Sequence, residues 1–182
     1  ITEVIHQQYP NLKLIVSMRN PIDRAVSAYF HFLRNRSFSP SCPILDVGHR
    51  HGIITMGYYY RNITEWLKYY PIDRFLFLVY EENIKTNKLE TLKTTFRFLG
   101  VDESFVPEKI DRRYNKRSGH LFMRTNYYSP VWTRRFFRLF PGLKSIDFPK
   151  INVTSGEIKK LSEMYKKENR GLAELIDKPL PW

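Results

Sequence analysis

The chain has 182 residues, 42% of them hydrophobic and 15% aromatic, which is enough for one sizeable core and excludes a disordered chain. No apolar run approaches the roughly 20 residues of a membrane span, and the single cysteine, Cys42, excludes an internal disulfide framework and any cysteine-rich metal site. The net charge of +12 is unevenly placed: between Lys109 and Lys144 ten basic residues face one acid, Asp111. Clustering of that density marks a phosphate or polyanion partner more often than plain solvated surface.

Leu12 to Met18 is a short apolar run with β-branched members and predicts a buried strand. Asn20-Pro21 then predicts a helix start, with Asn20 as N-cap, Pro21 at the first helical position and Asp23 in the first turn. Ile22, Val26, Phe30 and Leu33 give that helix a core stripe, while Arg24, Ser27, His31 and Arg34 share a different face. Residues 35 to 56, with Pro40, Pro43, Gly48 and Gly52, read as a loop, and the aromatic-rich stretch after them as a helix from Ile63 onward. Arg74 to Tyr80 predicts a second buried strand, with Glu81 and Glu82 at its carboxyl end, and Leu89 to Leu99 an amphipathic helix stopped by Gly100. Strand, helix, strand, helix in this order favours a parallel α/β sheet. Further on, Asn115 to Gly119 reads as a loop and Val131 to Phe140 as a helix. Thr154 with Glu157 forms a capping box ahead of a last helix running from Glu157 to Ile176.

In open α/β sheets ligands gather at the carboxyl ends of the strands. Arg19 sits at such an end, where a planar guanidinium can grip a phosphate bidentately, and Ser27 follows two helical turns later with a hydroxyl donor. The competing reading makes Arg19 a strand cap and Ser27 a solvent-facing helix residue.

The run "KLIVSMRNPIDRAVSAYFHF" resembles the 3'-phosphate-binding segment of the sulfotransferases that use PAPS, 3'-phosphoadenylyl sulfate: a strand ending in Arg, then Asn-Pro-x-x-Arg-x-x-Ser, often with a histidine four residues on. "GYYYRNITEWLKYYPIDRFLFLVYEENI", "TLKTTFRFLGVDESFVP", "YNKRSG" and "LSEMYKKENRGLAELIDKPLPW" are similar to later segments of that family, in the family's order. The resemblance implies a three-layer α/β sandwich with a parallel sheet, related to P-loop kinases, as a single domain over residues 1–182. It implies PAPS as sulfuryl donor, PAP as product, and Arg19 and Ser27 as ligands of the 3'-phosphate. Lys116, Arg117, Ser118 and Gly119 would approach from a second side, although "NKRSG" follows the family's loop only loosely.

One departure stands out. The family's glycine-rich loop for the 5'-phosphosulfate is not among the eight glycines here, so the chain is expected to lack the family's first strand, loop and helix, with the main catalytic base upstream of Ile1. Within the chain His31 is the candidate base, since histidine titrates near neutrality. Glu81 and Glu82 carry the same possibility against a turn and capping role. His49, His51 and His120 have no metal-ligand spacing, and no metal is expected. The expected acceptor is a hydroxyl or amine of a glycan, anionic by the charge of the basic stretch, and no nucleic acid partner is expected. The alternative is a non-catalytic basic module that binds sulfated glycan or another polyanion. A P-loop phosphotransferase is disfavoured, as neither its loop nor an Asp pair for Mg²⁺ is present. Asn35, Asn62 and Asn152 open N-x-Ser/Thr sequons and keep a Golgi lumen possible, while the missing leader and single cysteine lean towards a cytoplasmic, bacterial-type protein.

Overall fold

The computed structural model describes residues 1–108, 110, 127–128 and 152–182. The expected loop at Lys116, Arg117, Ser118 and Gly119 and the expected helix from Val131 to Phe140 lie outside the described residues. In chain order the elements are α1 (Thr2–Gln8), β1 (Leu14–Met18), α2 (Pro21–Arg34), α3 (Ile44–Val47), α4 (Tyr59–Leu67), β2 (Phe75–Val79), α5 (Lys88–Leu99), α6 (Ser155–Glu168) and α7 (Leu172–Leu175). β1 and β2 pair in parallel, Leu14 against Phe75 through to Met18 against Val79, and α2 follows β1 directly. This is the mixed α/β architecture with a parallel sheet that the alternation of elements predicts. The described residues fall into two compact units: one draws on Ile1–Pro21, Tyr58–Arg112 and Met164–Trp182, the other on Ile22–Gly57 and Arg113–Glu163.

The core of the first unit forms on one face of the strand pair. Met18 and Val79 are buried with Tyr59 and Ile63 of α4, Leu172 of α7 and Ile176, and Val16, Phe77 and Trp182 pack against them. On the other face burial is uneven: Leu78 of β2 is buried, but β1 is not covered as the apolar run predicts. Ile15 is 43% exposed and Ser17 is exposed as well, so β1 alternates with the strand's period of two. An unbroken apolar run specifies a strand. Whether both of its faces are covered depends on what lies against them.

The C-terminal end of α5 is secured twice. Gly100 takes the left-handed conformation, φ 79°, after α5, and its N–H donates to the Phe96 and Arg97 carbonyls. Lys13 Nζ donates to the Phe98 carbonyl at 2.6 Å, placing a cation where the helix dipole favours one. The last helix is interrupted, contrary to expectation: Gly171, φ 81°, ends one turn and starts another, so α6 and α7 replace a continuous helix. α4 begins four residues earlier than predicted, at Tyr59, where aromatic residues of modest helix propensity are held by burial.

In the second unit α2 buries Ala25, Tyr29, Phe30 and Leu33. Ile22 and Val26 are only half-buried, so the core stripe is turned towards Ala25 and Tyr29 relative to the predicted one. The Tyr29 ring stacks on Phe38, with centroids 5.4 Å apart. Residues 35 to 56 are far from a plain loop: Phe38, Ile44, Val47, Ile53 and Ile54 are buried, and α3 lies among them. Arg24 draws the segment in by donating to the Gly52 and Ile53 carbonyls, at a turn where His51 and Gly52 both have positive φ. Thr154 Oγ1 accepts the Glu157 N–H at 3.2 Å, and Glu157 Oε2 accepts the Thr154 N–H at 2.8 Å, which is the capping box the sequence predicts. Glu157 Oε1 also accepts the Ile44 N–H at 3.1 Å, tying the starts of α6 and α3 together. Thr154→Ala is therefore expected to lower stability by about 1 kcal/mol, the usual size of an N-cap loss. Urea denaturation would check it, and an unchanged midpoint would contradict the cap's contribution.

Candidate functional site

β1 ends at Met18, and the chain leaves the sheet through Arg19 and Asn20 before Pro21 opens α2. Backbone groups beyond a strand end lose their ladder partners and need others. Here side chains from distant segments supply them. Tyr59 Oη donates to the Arg19 carbonyl at 2.9 Å and accepts the Arg19 N–H at 3.3 Å. The Asn20 N–H donates to Glu81 Oε1 at 3.0 Å. The Arg19 guanidinium lies over the Tyr80 ring, with Cζ 5.1 Å from its centroid, in cation–π range. Since Met18 pairs with Val79, Arg19 and Tyr80 occupy equivalent places at the carboxyl ends of adjacent parallel strands. Glu81 Oε2 is buried with no hydrogen-bond partner among the described residues.

The turn after β2, Tyr80–Ile84, is wound wide, with the Lys85 N–H donating to the Tyr80 carbonyl. Asn83 Oδ1 accepts the Val79 N–H at 2.7 Å, which closes the strand's end. Asn83 thus does the capping expected of this run, while Glu81 reaches across to the Arg19–Asn20 backbone.

Ser27 and His31 lie one turn apart on the exposed face of α2, in the second unit. Arg34 Nη2 is 3.1 Å from His31 Nδ1, and Asn35 Nδ2 is 3.1 Å from His31 Nε2. A neutral imidazole accepts at one nitrogen only, and a guanidinium only donates. Arg34 therefore engages Nδ1 as an acceptor, while Asn35 contacts Nε2. For His31 to act as a base, Arg34 would have to leave Nδ1. Arg24, the other arginine of the Asn-Pro-x-x-Arg-x-x-Ser pattern, is committed to the Gly52 and Ile53 carbonyls. Among the described residues no group of three His, Cys, Asp or Glu could hold a metal ion, and no helix is long and apolar enough to cross a membrane.

The structure thus gathers Tyr59, Tyr80 and Glu81 around Arg19 in the first unit, and sets Ser27 beside His31 in the second. The sequence points to Arg19, Ser27 and His31 as candidates and assigns nothing to Tyr59 or Tyr80. The signal for Tyr59 lay in the Gly-Tyr-Tyr run ahead of a helix, and that for Tyr80 in an aromatic residue closing a strand.

Comparison with known proteins fits this geometry. A family model described as a sulfotransferase domain matches residues 4–136. Human heparan sulfate glucosamine 3-O-sulfotransferase 6 is 26% identical over 189 residues, which cover 98% of this chain and 51% of that protein. The human bifunctional heparan sulfate N-deacetylase/N-sulfotransferase 2 is 29% identical over 105 residues, covering 50% of this chain and 12% of that protein. The chain thus spans about half the length of the first relative and a smaller part of the second. A sulfotransferase crystal structure from Alicyclobacillus acidocaldarius superimposes with a TM-score of 0.61 at 18% identity, covering 98% of this chain and 60% of that one, which shows a common fold. With the match extending from α1 through the Arg19 turn, β2 and α5, the chain belongs to the sulfotransferase domain family.

Proposed function

We propose that this chain carries the 3'-phosphate side of a PAPS site, in a protein that moves a sulfuryl group from PAPS to a hydroxyl or amine of an anionic glycan. The observation that carries the reading is Arg19: a half-buried guanidinium at the carboxyl end of a parallel strand, steadied on the Tyr80 ring, in a sulfotransferase family chain. A guanidinium so placed matches a phosphate in charge and in bidentate geometry. Ser27 is assigned to the same phosphate by the resemblance, and Lys116, Arg117, Ser118 and Gly119 to the nucleotide from another side. The glycan acceptor is supported by relatives named for heparan sulfate and by the basic stretch from Lys109 to Lys144.

Sulfuryl transfer, like phosphoryl transfer, passes through a loose, in-line transition state, so positioning and cationic charge do most of the work. Arg19 would serve by orientation: gripping the 3'-phosphate fixes the nucleotide and hence the sulfuryl group at its other end. PAP, the desulfated product, tests this directly. Arg19→Ala is expected to weaken PAP binding in calorimetric titration by roughly 1.5–3 kcal/mol, the range for hydrogen bonds to charged groups. Ser27→Ala, which removes one neutral donor, should cost less. Unchanged PAP affinity in a folded Arg19→Ala protein would refute the assignment.

The polyanion-binding alternative has the charge of residues 109–144 in its favour. Saturating PAP should raise the melting temperature of a nucleotide-binding protein by linkage, and should leave a pure polyanion binder unmoved.

A further inference from the structure

The Arg19 turn is held by two side chains that the assignment of a phosphate ligand leaves without a role. We propose that Tyr59 and Glu81 are positioning residues, which act on an anionic ligand through Arg19 without touching it. This rests on the reading of Arg19 as the phosphate-binding residue.

A guanidinium at the end of a long side chain can grip a phosphate bidentately only if its Cα and the peptide planes on either side are fixed, because small angular errors there are amplified along the side chain. Pro21 restricts the chain on the helix side. On the strand side the Tyr59 hydroxyl contacts both the N–H and the C=O of Arg19, donating to the carbonyl and accepting from the amide, as one hydroxyl can. Tyr59 is itself immobile: it is 6% exposed and lies in the core with Met18 and Val79, the last residues of the two strands. Glu81 takes the next amide, its Oε1 accepting the Asn20 N–H at 3.0 Å. Because Glu81 follows Tyr80 directly, the residue that fixes the backbone and the ring that supports the guanidinium are neighbours in one turn. β1, α4 and the turn after β2 therefore converge on two peptide units.

The consequence is energetic coupling, and a double-mutant cycle measures it. Tyr59→Phe keeps the ring and its packing and removes only the hydroxyl. The full chain is titrated with PAP, and unliganded melting temperatures are recorded in parallel. Tyr59→Phe is expected to weaken PAP roughly fivefold, as is Glu81→Ala, the size of one net hydrogen bond. Glu81→Gln, which keeps an acceptor for Asn20 N–H, should restore most of the affinity. In an Arg19→Ala background neither change should weaken PAP further. Residues that served folding alone would lower the melting temperature and leave the PAP affinity of the folded protein unchanged, overturning the proposal. Full additivity with Arg19→Ala would overturn it too, since the residues would then act independently of Arg19. If Arg19→Ala itself leaves PAP binding intact, the reading of the phosphate site fails and this proposal falls with it. Should Tyr59→Phe fail to fold, the Glu81 pair of variants decides the question alone.

Discussion

Leu172→Ala is expected to destabilise the protein by roughly 2–5 kcal/mol, a large share of the roughly 5–15 kcal/mol that separates folded from unfolded domains. Leu172 is 1% exposed and belongs to the cluster of Met18, Tyr59, Ile63, Val79 and Ile176. It reaches that cluster because Gly171, in the left-handed conformation, turns the chain at the end of α6, and the Tyr60 ring lies 3.4 Å from where a Cβ on Gly171 would stand. Truncation removes three carbon atoms from a closely packed site whose walls are strands and helices with little freedom to collapse inward. Cavity and transfer terms therefore add. Leu89→Ala on α5 is the control: the side chain is 41% exposed, and the change should stay within about 0.5 kcal/mol. Urea denaturation at unchanged m-value reads both. A loss below 1 kcal/mol for Leu172→Ala would mean that the cluster is not the core of this unit.

What the sequence made legible was local. The two strands, α2 with Pro21 at its first position, α5 with Gly100 behind it and the Thr154–Glu157 capping box all rest on signals within a few residues of one another, and the structure contains each of them. What escaped was set by tertiary contact. α1 has no strong pattern of its own; it is tied down where Tyr70 Oη donates to the Tyr9 carbonyl and the Tyr70 ring meets His6 edge-on. Residues 35 to 56 contain two prolines and two glycines and look like punctuation. Arg24 nevertheless folds them onto α2, and their scattered apolar residues become core.

The candidate site divides in the same way. Arg19 was readable because a strand end followed by Asn-Pro is a local statement. Tyr59 and Glu81 were not, because they lie 40 and 61 residues along the chain from their partners in the Arg19–Asn20 turn. The sequence leaves Glu81 between a base and a capping residue; in the structure it accepts from a backbone amide at the neighbouring strand's exit. His31 shows a different local setting. The residue type suited proton transfer, but its neighbours at i+3 and i+4 occupy both ring nitrogens.

Alkaline titration should expose the core of the second unit through Tyr29. Its hydroxyl donates to the Cys42 carbonyl at 2.8 Å, and the residue is 3% exposed. Burial, reinforced by the Glu157 carboxylate and by Cys42, pushes its pKa up from 10.0 to about 12. A raised pKa means that the folded state holds the proton more tightly than the unfolded state does. The contribution is complete below pH 10, where neither state ionises Tyr29, and it fades as the pH rises towards 12. The whole difference corresponds to roughly 2–3 kcal/mol. Other tyrosines and lysines titrate in the same range, so the informative quantity is the stability of the wild type minus that of Tyr29→Phe, measured by urea denaturation from pH 8.5 upward. That difference should be level up to about pH 10 and then fall, because only the wild type must keep a phenol neutral inside the core. The fall should shrink in a Glu157→Gln background, which removes a negative charge that opposes ionisation while leaving the Tyr29–Cys42 hydrogen bond in place. A difference that stays level through pH 11.5 would mean that Tyr29 ionises as readily folded as unfolded, and that this core admits water where the structure closes it.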